Sequence, residues 1–206
     1  MTTDGIACHP VAQRITDWLD PRIWITGVTL AVGWEADGIA GIGWALLAVL
    51  AALVLPALMV SRGIRRGAYA DRHVPDRRQR VPVMLAAIGC VAAALFVLAL
   101  AGAPREVVAL TFAMLAAVTA LTAVTPVWKI SIHCAVAAGG VTVLIFTFGA
   151  AMAAGYLLVA LVGWSRVVLR DHTVTQAAAG IAAGIGSALL YLAVRLELPR
   201  QRTFSA

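Results

Sequence analysis

The chain has 206 residues, of which 62% are hydrophobic and 13% charged, and a formal net charge of +6. With a mean hydropathy of +0.92, it falls outside the range of soluble globular domains. The partner this composition predicts is a bilayer and not a nucleic acid, and the fold class it predicts is an all-α, polytopic transmembrane bundle.

Residues 1–20 mix Asp4, Arg14, Asp17 and Asp20. They lack the basic start, apolar core and small-residue cleavage site of a removable signal, so an N-terminal interfacial segment is expected there. The first apolar run, Ile23 to Trp34, is short: it is either the visible part of a helix beginning near Pro21 or a re-entrant piece. Gly41 to Val60 then runs 20 positions without a charge. At about 1.5 Å per residue this matches the ~30 Å hydrocarbon core of a membrane. Further runs follow at Val83 to Ala103, Val107 to Val124, Cys134 to Ala153, Gly155 to Leu169 and Thr173 to Val194. Six or seven helices in one domain over residues 1–206 are expected.

Small residues let membrane helices approach, because lipid tails solvate Leu as well as another helix does. Gly180 and Gly184 make a GxxxG step on the last run, and Gly139 and Gly140 are adjacent on the run Cys134 to Ala153. Packing inside one subunit is the expected use, with a homo-oligomer interface as the alternative. Cys8, Cys90 and Cys134 have no paired spacing, so neither a disulfide framework nor a metal site follows. The sequence calls for no cofactor.

The basic charge is concentrated. Arg62, Arg65, Arg66, Arg72, Arg77, Arg78 and Arg80 share one loop. Positive-inside topology accounts for such a loop without any chemistry, and an anion site is the other reading. Two crossings return the chain to the same face at Trp128–His133, and two more return it to Ser165–His172. Three polar clusters therefore share one membrane face, where ionisable side chains among apolar helices mark function by default.

Arg forks bind phosphate oxygens bidentately, Ser adds a neutral donor and Lys129 a point charge. Of two histidines, one can attack phosphorus while the other protonates the leaving oxygen and later activates water. Positive charge over the equatorial oxygens supplies the main transition-state stabilisation. No acidic pair suited to Mg²⁺ stands out, so metal-independent chemistry is expected.

These residues resemble the type-2 phosphatidic acid phosphatases, which share a helical core with the vanadium haloperoxidases. The family's third motif is Ser-Arg, five residues, His, three residues, Asp. Here it reads Ser165-Arg166, then His172, with Gln176 in the last place. The second, Pro-Ser-Gly-His, reads Ile130-Ser131-Ile132-His133. The first, Lys, six residues, Arg-Pro, is matched only by His73 and Arg80, with Pro82 one place late. The resemblance covers about residues 72–184.

It implies His172 as nucleophile, His133 as general acid, and Arg166, Ser131 and Arg80 as phosphate ligands. Arg77, one helical turn before Arg80, joins them. Gln176 stands where the family has an Asp that orients the nucleophile; lying four residues after His172, it is expected one turn above it on the same helix, accepting that bond without adding charge. The His, three residues, Gln pattern is similar to that of dolichyl-diphosphatase-type members. The implied function is hydrolysis of a lipid phosphate or diphosphate, most of all a prenyl or polyprenyl diphosphate, through a phosphohistidine. The alternative is a non-catalytic lipid- or anion-binding protein or transporter on the same scaffold. Positive-inside counting predicts a cytoplasmic site face.

Overall fold

The computed structural model describes residues 9–65 and 77–199, with the backbone alone for residues 59–60, 63–65 and 77–83. Among the described residues it is an all-helical bundle. Its helices are α1 (Pro10–Trp18), α2 (Pro21–Val49), α3 (Leu55–Arg65), α4 (Arg77–Leu100), α5 (Arg105–Val124), α6 (Ile132–Phe148), α7 (Tyr156–Val168) and α8 (Val174–Glu197). Four stretches are long and apolar enough to cross a membrane: Pro10–Leu58, Arg105–Val124, Ala150–Val168 and Val174–Glu197. Met84–Leu100 and Ile132–Phe148 are shorter apolar helices.

The first of those stretches is not one rod. Asp37 and Gly38 leave helical geometry, Gly38 at φ +54°, a left-handed conformation that costs glycine nothing. A Cβ added to Gly33 would lie 2.7 Å from that of Ala45. Twelve residues of continuous helix would hold those positions about 18 Å apart. The chain therefore doubles back, and α2 is two antiparallel arms, 21–36 and 39–49. The short run beginning at Ile23 is thus a helix starting at Pro21, capped by the Asp20 side chain accepting from Arg22 N–H. The second arm continues through a π-helical turn, Leu50–Val54, into α3. Pro56 explains the widening, since its ring cannot stack against the carbonyl one turn back.

One expected boundary moves. The run written as Cys134 to Ala153 stops at Phe148, because Gly149 (φ +98°) ends α6 and residues Ala150–Gly155 form a 3₁₀ stretch. That stretch leads into α7, Tyr156–Val168, which matches the expected run to one residue at each end.

The core is an α6–α8 pair running in the same direction, with α5 and α2 packed beside it and α7 on the other flank. Gly180 faces the Ser131 carbonyl and Gly184 faces the Ala135 carbonyl, with Gly139 N only 2.8 Å from where a Cβ of Gly184 would stand. The GxxxG step is therefore spent inside the subunit. Tyr191 and Val143 lie in one buried cluster with Ala109 and Val28, and Val159, Val162 and Val141 lie in a second beside α7.

At the end of the bundle away from the histidines, Arg105 and Arg195 both pair with Glu106, at 3.0 and 3.4 Å. Arg105 also donates to the Leu198 carbonyl and Arg195 to that of Phe146. These bonds cover helix-end carbonyls that otherwise lack partners in an apolar layer.

Candidate functional site

Three segments converge at the opposite end: the approach to α6 (residues 129–131), the turn from α7 to α8 (residues 166–173) and the first turn of α8. Close glycine packing sets their register. With Gly180 against the Ser131 carbonyl, the Ser131 N–H donates to the Gln176 carbonyl at 3.3 Å, tying the start of α6 to that of α8.

The turn after α7 is a Schellman closure. Arg170 N–H donates to the Val167 carbonyl and Asp171 N–H to that of Arg166, with Arg170 itself in the left-handed region at φ +56°. Helices usually place Gly there, and an Arg stores roughly 1–2 kcal/mol of strain. The reversal folds Asp171 back so that its carboxylate lies 2.9 Å from the Arg166 guanidinium. Arg166 is 13% exposed, and its Nε is buried without a hydrogen-bond partner. An orphaned charged donor of this kind is costly unless a ligand completes it.

His172 lies within the same turn. Its Nδ1 is 3.2 Å from the Lys129 carbonyl oxygen. A carbonyl only accepts, so Nδ1 carries the proton and Nε2 keeps its lone pair. Burial, the largest influence, pushes the His172 pKa below its ordinary 6.5, while the Lys129 carbonyl opposes the shift. The ring is therefore neutral at pH 7. The half-buried ring of His133, in the first turn of α6, is within electrostatic range of Arg166, Asp20, His172 and Asp171.

Several expected roles change. Gln176 does not share a helix with His172, because α8 begins at Val174 with Thr173 as its cap. Gln176 Oε1 accepts from Thr173 N–H at 3.1 Å, and Gln176 N–H donates to Thr173 Oγ1 at 3.3 Å, a reciprocal capping box, and the Gln176 side chain also bears on His172 as a hydrogen-bond partner that favours its protonated form. Lys129 Nζ donates to the Asp171 carbonyl at 2.7 Å, bracing the turn with one of its three donors. Ser131 is fully buried and caps α6 by accepting from Cys134 N–H at 3.4 Å. Arg77 and Arg80 lie in the first turn of α4, and their side chains fall outside the described residues.

Three participants went unrecognised in the sequence. Asp171, adjacent to His172 in sequence, pairs with Arg166. Thr16 of α1 donates to Ser165 Oγ at 3.1 Å, and Ser165 in turn donates to the Val162 carbonyl, so the N-terminal segment is pinned beside α7. Asp20 bears on His133. The Thr-x-x-Gln spacing before an apolar run was a legible sign of the capping box.

No family model, curated protein or solved structure matches this chain.

Proposed function

We propose that the protein hydrolyses a lipid phosphate or diphosphate at this site, with His172 as nucleophile. The observation that carries the reading is the pairing of two groups: a neutral His172 held through Nδ1 by the Lys129 carbonyl, and the buried Arg166 Nε lacking an acceptor. A phosphoryl group answers both.

In the proposed reaction, His172 Nε2 attacks the terminal phosphorus and its bond to the leaving oxygen breaks, the lipid oxygen of a monophosphate or the bridging oxygen of a diphosphate. His133, charged by the field of the bound dianion, gives that oxygen its proton. Arg166 holds the equatorial oxygens. Water then attacks the phosphohistidine, His133 takes its proton, and inorganic phosphate leaves as the His172 ring is restored. The Lys129 carbonyl keeps the ring oriented throughout and partners the Nδ1 proton as positive charge develops.

An amphiphilic substrate follows from the site's location where apolar helices end, so that a tail remains in hydrocarbon. The prenyl diphosphate preference rests on the resemblance, as does the cytoplasmic orientation on charge counting. A homo-oligomer is not needed for this chemistry.

Phosphate release from farnesyl diphosphate by purified protein in EDTA tests the reading, with His172→Ala and His133→Ala as controls. Turnover that falls at least about a thousandfold in His172→Ala is expected. Equal rates in all three proteins would leave a lipid- or anion-binding protein as the better description.

A further inference from the structure

Gly140 marks the stripe of α6 that faces α2. A Cβ there would lie 3.1 Å from Val28 Cγ2 and 3.3 Å from Trp24 Cε3. Seven residues make almost two whole turns, so His133 leaves α6 on the same stripe, about 10 Å nearer its start. On α2, the cap Asp20 precedes the midpoint of Trp24 and Val28 by about 9 Å of rise. Both helices begin at the site end, because Thr16, one turn before Asp20, bonds to Ser165 beside Arg166. Asp20 and His133 therefore stand at one level across the α2–α6 seam.

The Asp20 carboxylate is fixed before any substrate arrives. One oxygen accepts from Arg22 N–H and Nε–H, each at 2.8 Å, and the other from Nη2 at 3.2 Å. The Arg22 side chain is 77% exposed and that of Asp20 23%. Water screens the cation more than the anion, so the pair keeps a residual negative field at the ring. Among the described residues, the charged or titratable groups bearing on His133 are Asp20 from α2, Arg166 from α7, and Asp171 and His172 from the turn. The first turn of α8, Val174–Ala177, brings none. Asp171 is paired with Arg166 inside the site, and His172 is neutral. Asp20 is thus the anion near His133 whose own partner lies out in solvent.

We propose that Asp20 is a positioning residue for His133: the field of its carboxylate keeps the imidazole charged until the leaving oxygen takes the proton. This rests on the reading of the site as a phosphatase and adds to it a part for the N-terminal segment. Asp20 itself exchanges no proton. A carboxylate repels phosphate, so its presence serves proton transfer and opposes binding.

Asp20→Asn keeps an oxygen to cap α2 and removes the charge. Purified wild type and variant are assayed with farnesyl monophosphate, whose alcohol needs a proton to leave, and with 4-nitrophenyl phosphate, whose phenolate leaves without one. The variant should lose about tenfold in kcat/KM on the first and stay within about twofold on the second. On farnesyl monophosphate the descending limb of kcat/KM should move down by about half a pH unit or more. Inhibition by inorganic phosphate should stay as strong or strengthen.

A merely structural role would lower both substrates together and weaken inhibition by phosphate, and either result would overturn the proposal. Histidine NMR, with His133→Ala to assign the signal, reads the coupling without turnover. Asp20→Asn should lower the His133 midpoint by about half a pH unit or more. An unchanged midpoint would sink the proposal whatever the rates. A lowered midpoint, with no phosphate released from farnesyl diphosphate by wild type, would remove the phosphatase and keep the coupling of Asp20 to His133.

Discussion

The Nδ1 of His172 meets the backbone carbonyl oxygen of Lys129 at 3.2 Å, so a main-chain group shares the orienting part that the sequence pattern assigned to Gln176. Side-chain substitution at residue 176 then leaves the bond in place. We expect Gln176→Ala to reduce phosphate release by less than about tenfold. Its chief effect is on stability, roughly 1 kcal/mol from the broken capping box. Paired kcat and thermal-unfolding measurements check this, and a thousandfold loss of kcat with unchanged melting would contradict it.

Burial holds the His172 pKa below 6.5, so the nucleophile stays unprotonated into mildly acidic solution. The ascending limb of kcat/KM against pH is expected to lie below pH 6.5. The same burial makes the fold acid-sensitive. Above the unfolded pKa the ring is neutral in both states and nothing is lost. Stability declines as pH falls from the unfolded pKa toward the lower folded one, where the unfolded chain binds the proton more readily. Histidine NMR titration of wild type and His172→Ala assigns the limb, and a His172 midpoint above 6.5 would refute the assignment.

Arg166 makes an ion pair with Asp171 and keeps a second donor unclaimed. Lysine retains the charge and loses the planar fork. Arg166→Lys should therefore cost about ten- to a hundredfold in kcat/KM, and weaken competitive inhibition by inorganic phosphate in parallel. Unchanged inhibition would show that phosphate rests elsewhere.

The α6–α8 contact leaves no space for a β-carbon at Gly184, where the Ala135 carbonyl and Gly139 N stand. Gly184→Ala is expected to force the helices apart at a cost of about 1–3 kcal/mol. Thermal unfolding in detergent should report a midpoint several degrees lower. Because the same contact sets the spacing of Ser131 and Gln176, activity at temperatures well below the midpoint should fall too.

The helices were legible because long charge-free runs have few alternatives, and the turn at Asp37–Gly38 was announced by Glu35, Asp37 and Gly38 between apolar runs. The end of α6 was less so. Ala150 to Ala153 are as apolar as the helix before them, and only the conformation of Gly149 separates the two. At the site, spacing located His133, Arg166 and His172 in one region. Their partners depended on where α8 begins. Extending that helix back over His172 put Gln176 one turn above the ring, whereas Thr173 is the cap and His172 precedes it. The Asp171–Arg166 pair was hidden for a related reason, since it depends on the left-handed Arg170, which no residue preference announces.

The doubling back at Asp37–Gly38 also decides how the two extremes of the bundle are disposed. With α2 counted as two arms and α3 as the continuation of the second, the described helices from α2 to α8 make seven passes, an odd number. Thus α1, pinned beside Ser165, emerges with the histidines, while Leu198 closes the opposite end against Arg105. A straight α2 would have brought both to the same side.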